Sequence, residues 1–317
     1  MSIIAIPDDF PSVVSGTEIE ERLKEIGETR IFCSKPENGD ELLERVQGAD
    51  AILNIRAFCK FDKIFFEKIK TLKIISIWGT GTDHVDLETA KKNGVTVTNT
   101  PGVAAFSVAE HAITLMLSTA RKINENDNTI REGGWPRGEM IQMHGKTIGI
   151  IGLGAIGKQT AILARGLGMN VVAWTFHPDK EFTKKEGIKL VELNELFQIS
   201  DVVSLHLRQS PETLDFVNKK TIEKMKKTAI IVNTARGPII NEKDLIEALK
   251  EQRISAAGLD VFENEPLPDT NQLNKLKNVT LSPHNAGITP EVTKAGLELT
   301  VENVKQFFKG KKQNLVC

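Results

Sequence analysis

The 317-residue chain contains no tyrosine, and this absence removes one common proton donor from the search for catalytic side chains. Cysteine is scarce as well. Cys33, Cys59 and Cys317 are odd in number and far apart, without the spacing of metal ligands or of a disulfide framework. Such thiols are typical of a reducing compartment. The sequence therefore predicts a cytoplasmic protein without a bound metal.

Long apolar runs and an excess of charge of one sign are also missing. No run of about 18 apolar residues is present, so no transmembrane helix is expected. The start, MSIIAIPDDF, lacks the basic and apolar regions of a secretory signal. The 41 Lys and Arg residues nearly balance 42 Asp and Glu residues, which gives no support for a nucleic-acid or membrane partner.

Short apolar runs alternate with amphipathic stretches over the first hundred residues. Residues 3–6 and 51–55 are typical of buried strands, whereas residues 18–26 have the spacing of four and three that indicates a helix. Strands separated by helices of about ten residues predict parallel βαβ units. A second series of such units begins at Lys146 and runs to about Pro283.

Two long helical patterns flank the second series. Residues 103–121 are apolar nearly all round, which is typical of a helix buried between two bodies. Residues 290–308 form the other pattern, which we expect to return to the first body. The sequence therefore predicts a discontinuous outer domain of residues 1–101 and 289–317 around an inserted domain of residues 102–288.

Residues 147–157, TIGIIGLGAIG, form an apolar strand that leads into G-x-G-x-x-G and then a helical pattern. The first glycine permits a tight turn, the second lets a pyrophosphate approach the backbone, and the third lets the helix lie close to the strand. The N–H groups at the helix start can bind the phosphates. The motif predicts a dinucleotide site at Gly152, Gly154, Ala155, Ile156 and Gly157.

The end of the next strand bears on the choice between NAD and NADP. An acid expected about 20 residues after the motif would hold the ribose hydroxyls, but Thr175 stands there and Asp179 lies too far out. No arginine is present for a 2′-phosphate, although His177 and Lys180 are nearby. The choice stays open, and the missing arginine slightly favours NAD.

Further motifs follow in order along nearly the whole chain. They are GTGTDHVD at 79–86, NTPG at 99–102, DVVSLHL at 201–207, NTARGP at 233–238, GLDVFENEP at 258–266 and SPH at 282–284. In this order they resemble the D-isomer-specific 2-hydroxyacid dehydrogenases. The resemblance implies a Rossmann-type dinucleotide-binding domain inserted in a discontinuous flavodoxin-like α/β substrate domain. It also implies an oxidoreductase that transfers a hydride between a nicotinamide cofactor and a small D-2-hydroxy acid or 2-keto acid, such as glyoxylate or hydroxypyruvate.

The resemblance implies three catalytic residues. Arg236 matches the arginine that grips the substrate carboxylate, His284 the general acid/base, and Glu265 the acid that pairs with this histidine. Formate dehydrogenases resemble this fold but have glutamine in that pair, so Glu265 argues against them. Other implied positions contact the cofactor, namely Ser107, Leu207, Thr234, Ala235 and Asp260, or the substrate, namely Arg56, Thr80 and Gly81. The remaining histidines are interpreted as structural: His84, His111, His144, His177 and His206.

The reduction of a 2-keto acid requires the same three residue types, an arginine, a histidine and a carboxylate. Reduction of a 2-keto acid adds a hydride to carbon and needs a proton on oxygen. An arginine can clamp the neighbouring carboxylate with two parallel hydrogen bonds. A histidine can donate a proton in one direction and accept it in the other, and an adjacent carboxylate favours the imidazolium.

Two alternatives remain. One is a D-3-phosphoglycerate dehydrogenase: Arg56 and Lys60 resemble the basic segment of that subgroup, but Trp78 stands where it usually has an arginine. The other is a binding protein like the corepressors that resemble this family and sense NAD(H). The resemblance and the long apolar helix also predict a homodimer.

Overall fold

The computed structural model describes residues 1–56 and 58–317. The chain forms two compact units, one of Met1–Ala104 with Thr289–Cys317 and one of Ala105–Ile288. Among the described residues, no helix combines the length and the apolar character that crossing a membrane requires.

The described part of the first unit contains a parallel sheet of five strands in the order β2-β1-β3-β4-β5. This is the flavodoxin-like order, as expected. Its strands are β1 Ser2–Ile6, β2 Gly27–Ile31, β3 Ala51–Asn54, β4 Ile74–Ile77 and β5 Thr96–Thr98. Its helices are α1 Glu18–Lys24, α2 Gly39–Arg45, α3 Lys63–Lys68, α4 Leu87–Lys92 and α12 Pro290–Phe308.

The last helix packs on the first sheet, although it is far from this sheet in sequence. Ser76 in β4 donates a hydrogen bond of 3.0 Å to the carbonyl oxygen of Thr300. A Cβ at Gly296 would overlap the Trp78 ring, so this glycine lets the indole lie against α12. β3 and β4 are buried along their whole length, which explains why their sequences are almost unbroken apolar runs.

The second unit contains a parallel sheet of seven strands in the order β12-β11-β10-β9-β6-β7-β8. The order reverses between β6 and β9, where open α/β sheets bind ligands beyond the carboxyl ends of the strands. The strands are β6 Thr147–Ile151, β7 Asn170–Trp174, β8 Lys189–Leu190, β9 Val202–Leu205, β10 Ile230–Asn233, β11 Ala256–Leu259 and β12 Val279–Leu281.

The second unit, which the structure describes completely, contains seven α-helices. They are α5 Ala105–Ala120, α6 Ile123–Arg131, α7 Ala155–Gly166, α8 Lys180–Lys185, α9 Leu193–Ile199, α10 Lys219–Ile222 and α11 Glu242–Lys250. Helix α5 buries Ala109 and Met116 and lies close to Gly258 of β11. The composition of this helix suggested that all of its faces are buried. In the structure one face is open, since Phe106 is 66% exposed.

Candidate active site

The predicted residues of the second unit follow the carboxyl ends of its strands. Because all the strands are parallel, these ends lie along one edge of the sheet. Gly152 follows β6, Thr175 follows β7, Leu207 follows β9, Thr234, Ala235 and Arg236 follow β10, Asp260 follows β11, and His284 follows β12. The fold thus brings to one edge residues that span most of the unit's sequence.

The glycine motif connects β6 to α7. Gly152 has a φ of 98°, which favours glycine, and a Cβ there would meet the carbonyl oxygen of His206 at 2.6 Å. A Cβ at Gly157 would overlap the carbonyl oxygen of Gly152. Gly154 is different, because a Cβ there would have no atom within 4 Å. Gly152 and Gly157 thus allow close backbone contacts within the turn, whereas Gly154 leaves open space at the start of α7.

We expect different defects when the glycines of this turn are changed to alanine. Gly157→Ala should destabilise the fold by roughly 1–3 kcal/mol, because the added methyl has no room. Gly154→Ala should leave the Tm nearly unchanged but weaken NADH binding on the order of tenfold or more, because its methyl fills the open space. Calorimetry and NADH titration of both variants would measure this. Equal Tm losses in the two variants would contradict the distinction.

His284 and Glu265 form a hydrogen-bonded pair. The imidazole Nδ1 lies 2.6 Å from Glu265 Oε2, and the Phe262 N–H donates to Glu265 Oε1 at 3.0 Å. Partial burial raises the pKa of Glu265, but these two hydrogen bonds and the charge of Arg236 together hold it below its usual value. An ionised carboxylate only accepts, so Nδ1 carries the proton and Nε2 is the atom available for proton exchange.

Arg236 is held by the turn that follows β10. The Asn233 side chain accepts from the Ala235 N–H at 3.0 Å and donates to the Arg236 carbonyl at 2.9 Å. A Cβ at Gly237 would overlap the backbone of Phe262, so this glycine lets the turn pack against the segment that leads to Glu265. The NTARG motif therefore contains two positioning residues, Asn233 and Gly237, that the sequence alone did not single out.

A known protein family matches the part of the chain that forms this site. The family described as "D-isomer specific 2-hydroxyacid dehydrogenase, NAD binding domain" matches residues 113–286, which cover most of the second unit. The chain belongs to this family. The expected resemblance and fold class are thereby confirmed, and the chain is an oxidoreductase of the 2-hydroxyacid dehydrogenase type with an NAD-binding Rossmann domain.

Curated relatives of this dehydrogenase cover most of its length. A D-3-phosphoglycerate dehydrogenase of Methanocaldococcus jannaschii is 40% identical over 91% of the chain, but the chain spans only 55% of that protein's length. A glyoxylate reductase of Korarchaeum cryptofilum is 37% identical, covering 87% of this chain and 84% of that protein. Among solved structures, an acyclic imino acid reductase in complex with NADPH and D-Arg has a TM-score of 0.91, with 30% identity and full coverage of both chains.

The dehydrogenase fits a nicotinamide dinucleotide at its strand edge. Among the described residues no side chain caps the start of α7, so its first N–H groups can bind a pyrophosphate beside Gly154. The hydroxyl oxygen of Thr234 is buried and has no hydrogen-bond partner in the described part of the chain. A buried polar atom without a partner is costly, and a bound ligand would relieve this cost.

Two predicted cofactor contacts already use their polar atoms within the dehydrogenase. Ser107 Oγ donates to the carbonyl oxygen of Ala286 at 2.7 Å. The Asp260 carboxylate is buried and accepts from Ser282 Oγ at 2.6 Å. His111, which was interpreted from the sequence as a structural histidine, has its Nε2 2.8 Å from the same serine hydroxyl. Its sequence neighbours gave no sign of this contact, because the partner is 171 residues away.

The predicted substrate residues of the first unit follow β3 and β4. The Arg56 guanidinium lies over the Trp78 ring, 4.6 Å from its centroid, and its Nε is buried with no partner among the described residues. Desolvation lowers the pKa of Arg56. Thr80 and Gly81 are in a loop that Asn99 fixes by donating 2.9 Å to the Thr80 carbonyl. Another substrate candidate, Lys60, is exposed.

Proposed function

We propose that this dehydrogenase reduces a small 2-keto acid to the D-2-hydroxy acid and catalyses the reverse oxidation, with His284 as acid/base. The observation that supports this most is the contact of 2.6 Å between His284 and Glu265, since it fixes which imidazole nitrogen exchanges the proton. Arg236 follows a strand of the same edge and supplies a permanent positive charge. A carboxylate-binding cation and a proton carrier are the two groups that the reaction needs.

In reduction, His284 begins as an imidazolium with protons on both nitrogens. Glu265 stabilises this cation and holds the ring through Nδ1. Nε2–H donates its proton to the keto oxygen as negative charge develops there, and the ring is left neutral with its remaining proton on Nδ1. The nicotinamide supplies the hydride. In oxidation, neutral Nε2 takes the proton from the hydroxyl.

The substrate is held mainly through its carboxylate in this proposal. Arg236 can donate two parallel hydrogen bonds to it, which fixes the orientation of the adjacent carbonyl as well as its distance. The loop of Thr80 and Gly81 and the guanidinium of Arg56 are proposed as further substrate contacts from the first unit.

We propose NAD as the preferred cofactor. Thr175 offers no negative charge to repel a 2′-phosphate, but the Asp179 carboxylate is 2.5 Å from Lys158 Nζ and caps α8 at the Phe182 N–H. This ion pair engages Lys158, and residues 175–180 contain no arginine that would bind a 2′-phosphate. Fluorescence titration with NADH and NADPH tests the preference, and tighter binding of NADPH would reverse it.

The activity is tested by following NADH and NADPH oxidation with glyoxylate, hydroxypyruvate, pyruvate and 3-phosphohydroxypyruvate. Turnover with one of the first three is the expected result. Binding of NADH without turnover of any keto acid would instead support the cofactor-sensing, corepressor-like alternative.

A D-3-phosphoglycerate dehydrogenase activity is the second candidate, and the relative of 40% identity favours it. It requires phosphate ligands in the first unit, for which Arg56 and Lys60 are the candidates. A kcat/KM for 3-phosphohydroxypyruvate well above that for hydroxypyruvate, lost in Arg56→Ala, would establish this function.

We further propose a cytoplasmic homodimer. The second unit exposes large apolar side chains at the start of α5 and in the segment that precedes β6: Phe106 at 66%, Trp135 at 73% and Met140 at 45%. Side chains of this kind mark a protein contact surface when they form one contiguous patch. Light scattering should give twice the mass of the chain, and a monomer would exclude the dimer.

Replacing Glu265 with glutamine should shift the pH profile of the reaction. The lowered pKa of Glu265 keeps it ionised at working pH, and its charge favours the imidazolium of His284. Without this charge the imidazolium is less stable, so kcat/KM for reduction should begin to fall at a lower pH than in the wild type. The exposed Glu263, changed to glutamine, is the matched control. Identical profiles for all three proteins would show that Glu265 does not act on the proton carrier.

A further inference from the structure

The backbone at His284 has an unfavourable conformation that other residues must hold in place. Its φ is 50°, in the left-handed region that side chains other than glycine rarely adopt. The residue lies in a loop, residues 282–286, that follows β12 and carries the proposed proton carrier. The position of the imidazole therefore depends on what fixes this loop.

Asp260, which directly follows β11, holds this loop through hydrogen bonds. Its carboxylate accepts from the Ser282 hydroxyl at 2.6 Å, from the Asn285 N–H at 3.1 Å and from the Ala286 N–H at 3.1 Å. Its carbonyl oxygen accepts from the His284 N–H at 2.7 Å. Residues on both sides of His284 thus converge on one aspartate, which is 1% exposed.

The charge of this aspartate is maintained by its donors. Burial raises the pKa of Asp260, but the nearby His111 and the hydrogen bonds from Ser282 and the two loop N–H groups hold it below its usual value. An ionised carboxylate accepts only, so the single hydroxyl proton of Ser282 must point at Asp260.

His111 completes the arrangement from α5. Its Nε2 lies 2.8 Å from Ser282 Oγ and 3.4 Å from Asp260 Oδ1. Because the serine proton is directed to Asp260, Ser282 Oγ must accept here, and His111 Nε2 must carry a proton. Ser107, one helical turn earlier on the same face, donates to the Ala286 carbonyl at 2.7 Å. Helix α5 therefore contacts both ends of the loop.

We propose that His111 is a positioning residue for the reaction: its Nε2–H orients the Ser282 hydroxyl and, through it, the Asp260 carboxylate that holds the His284 loop. The proposal rests on the proposed function of His284. It assigns to α5, which carries none of the three proposed catalytic residues, the positioning of the loop that contains His284.

Three variants test this role. His111→Phe keeps a planar ring but has no donor, His111→Gln offers an amide donor at a similar reach, and Ser282→Ala removes the bridging hydroxyl. We expect kcat to fall about 10- to 100-fold in His111→Phe and Ser282→Ala, because small displacements of a catalytic group have effects of this size. His111→Gln should recover most of this loss, and the Kd for NADH should change little.

A second measurement needs no substrate. Hydrogen exchange of the Asn285 and Ala286 amides, followed by NMR, should be faster in His111→Phe and Ser282→Ala than in wild type or His111→Gln. If the wild type reduces no keto acid, the proposed function fails, and the exchange rates still decide whether His111 fixes the loop.

Several results would overturn the proposal. Wild-type kcat and exchange rates in His111→Phe would exclude it, as would equal losses in the phenylalanine and glutamine variants, which would indicate ring packing alone. If His111→Phe does not fold, Ser282→Ala decides. Unchanged kcat and unchanged exchange in that variant would also exclude a path through the serine.

Discussion

Changing His284 to asparagine lowers kcat for keto-acid reduction by a factor on the order of 10²–10⁴, the usual contribution of a positioned acid/base. Asparagine removes the imidazole but tolerates a φ of 50° far better than alanine does. The loss therefore reports the missing proton transfer rather than a rearranged loop. Steady-state kinetics with the best keto acid of the panel, together with an NADH titration, measures it. The Kd for NADH should stay near the wild-type value.

Two comparisons make this result specific. His284→Ala should lose at least as much kcat and also some Tm, since alanine is disfavoured in the left-handed region. His144→Asn changes an exposed histidine of the same unit and should leave kcat unchanged. An undiminished kcat in His284→Asn would mean that another group supplies the proton.

The second large effect is expected at Arg236. Hydrogen bonds to charged groups contribute about 1.5–3 kcal/mol each, so loss of a two-bond clamp in Arg236→Ala should lower kcat/KM on the order of 10²–10⁴-fold. The guanidinium is also half-buried near Glu265, whose pKa it helps to lower. Part of the effect should therefore appear in kcat as well as in KM.

Arg236→Lys separates charge from geometry. Lysine keeps the positive charge but cannot form the two parallel bonds, so its kcat/KM should lie between those of wild type and Arg236→Ala. Arg165→Ala, which breaks a surface ion pair between Arg165 of α7 and Glu186, serves as the control and should retain full activity. If Arg236→Ala keeps wild-type kcat/KM for every keto acid, the carboxylate is bound elsewhere.

The sequence was most informative where function depends on local backbone form. The apolar strand and three glycines of residues 147–157 predicted a turn whose close approaches the structure shows at Gly152 and Gly157. Periodicity placed a helix over residues 290–308, and the structure has α12 at Pro290–Phe308. It was less informative for residues 103–121, where composition suggested burial on all sides, because periodicity does not show which apolar side chains stay uncovered.

The sequence by itself determined the α/β class, the dinucleotide motif and, through the ordered motifs, the family with Arg236, Glu265 and His284 as its candidate residues. These features depend on short segments, in which neighbouring residues define a turn or a strand end. Only the tertiary structure showed that Glu265 contacts Nδ1 of His284 and that His111 contacts the loop that carries this histidine. Glu265 and His284 meet because they follow β11 and β12, which are adjacent parallel strands, whereas His111 reaches Ser282 because α5 packs against these strands. Such pairing of strands and helices is not contained in any local sequence pattern.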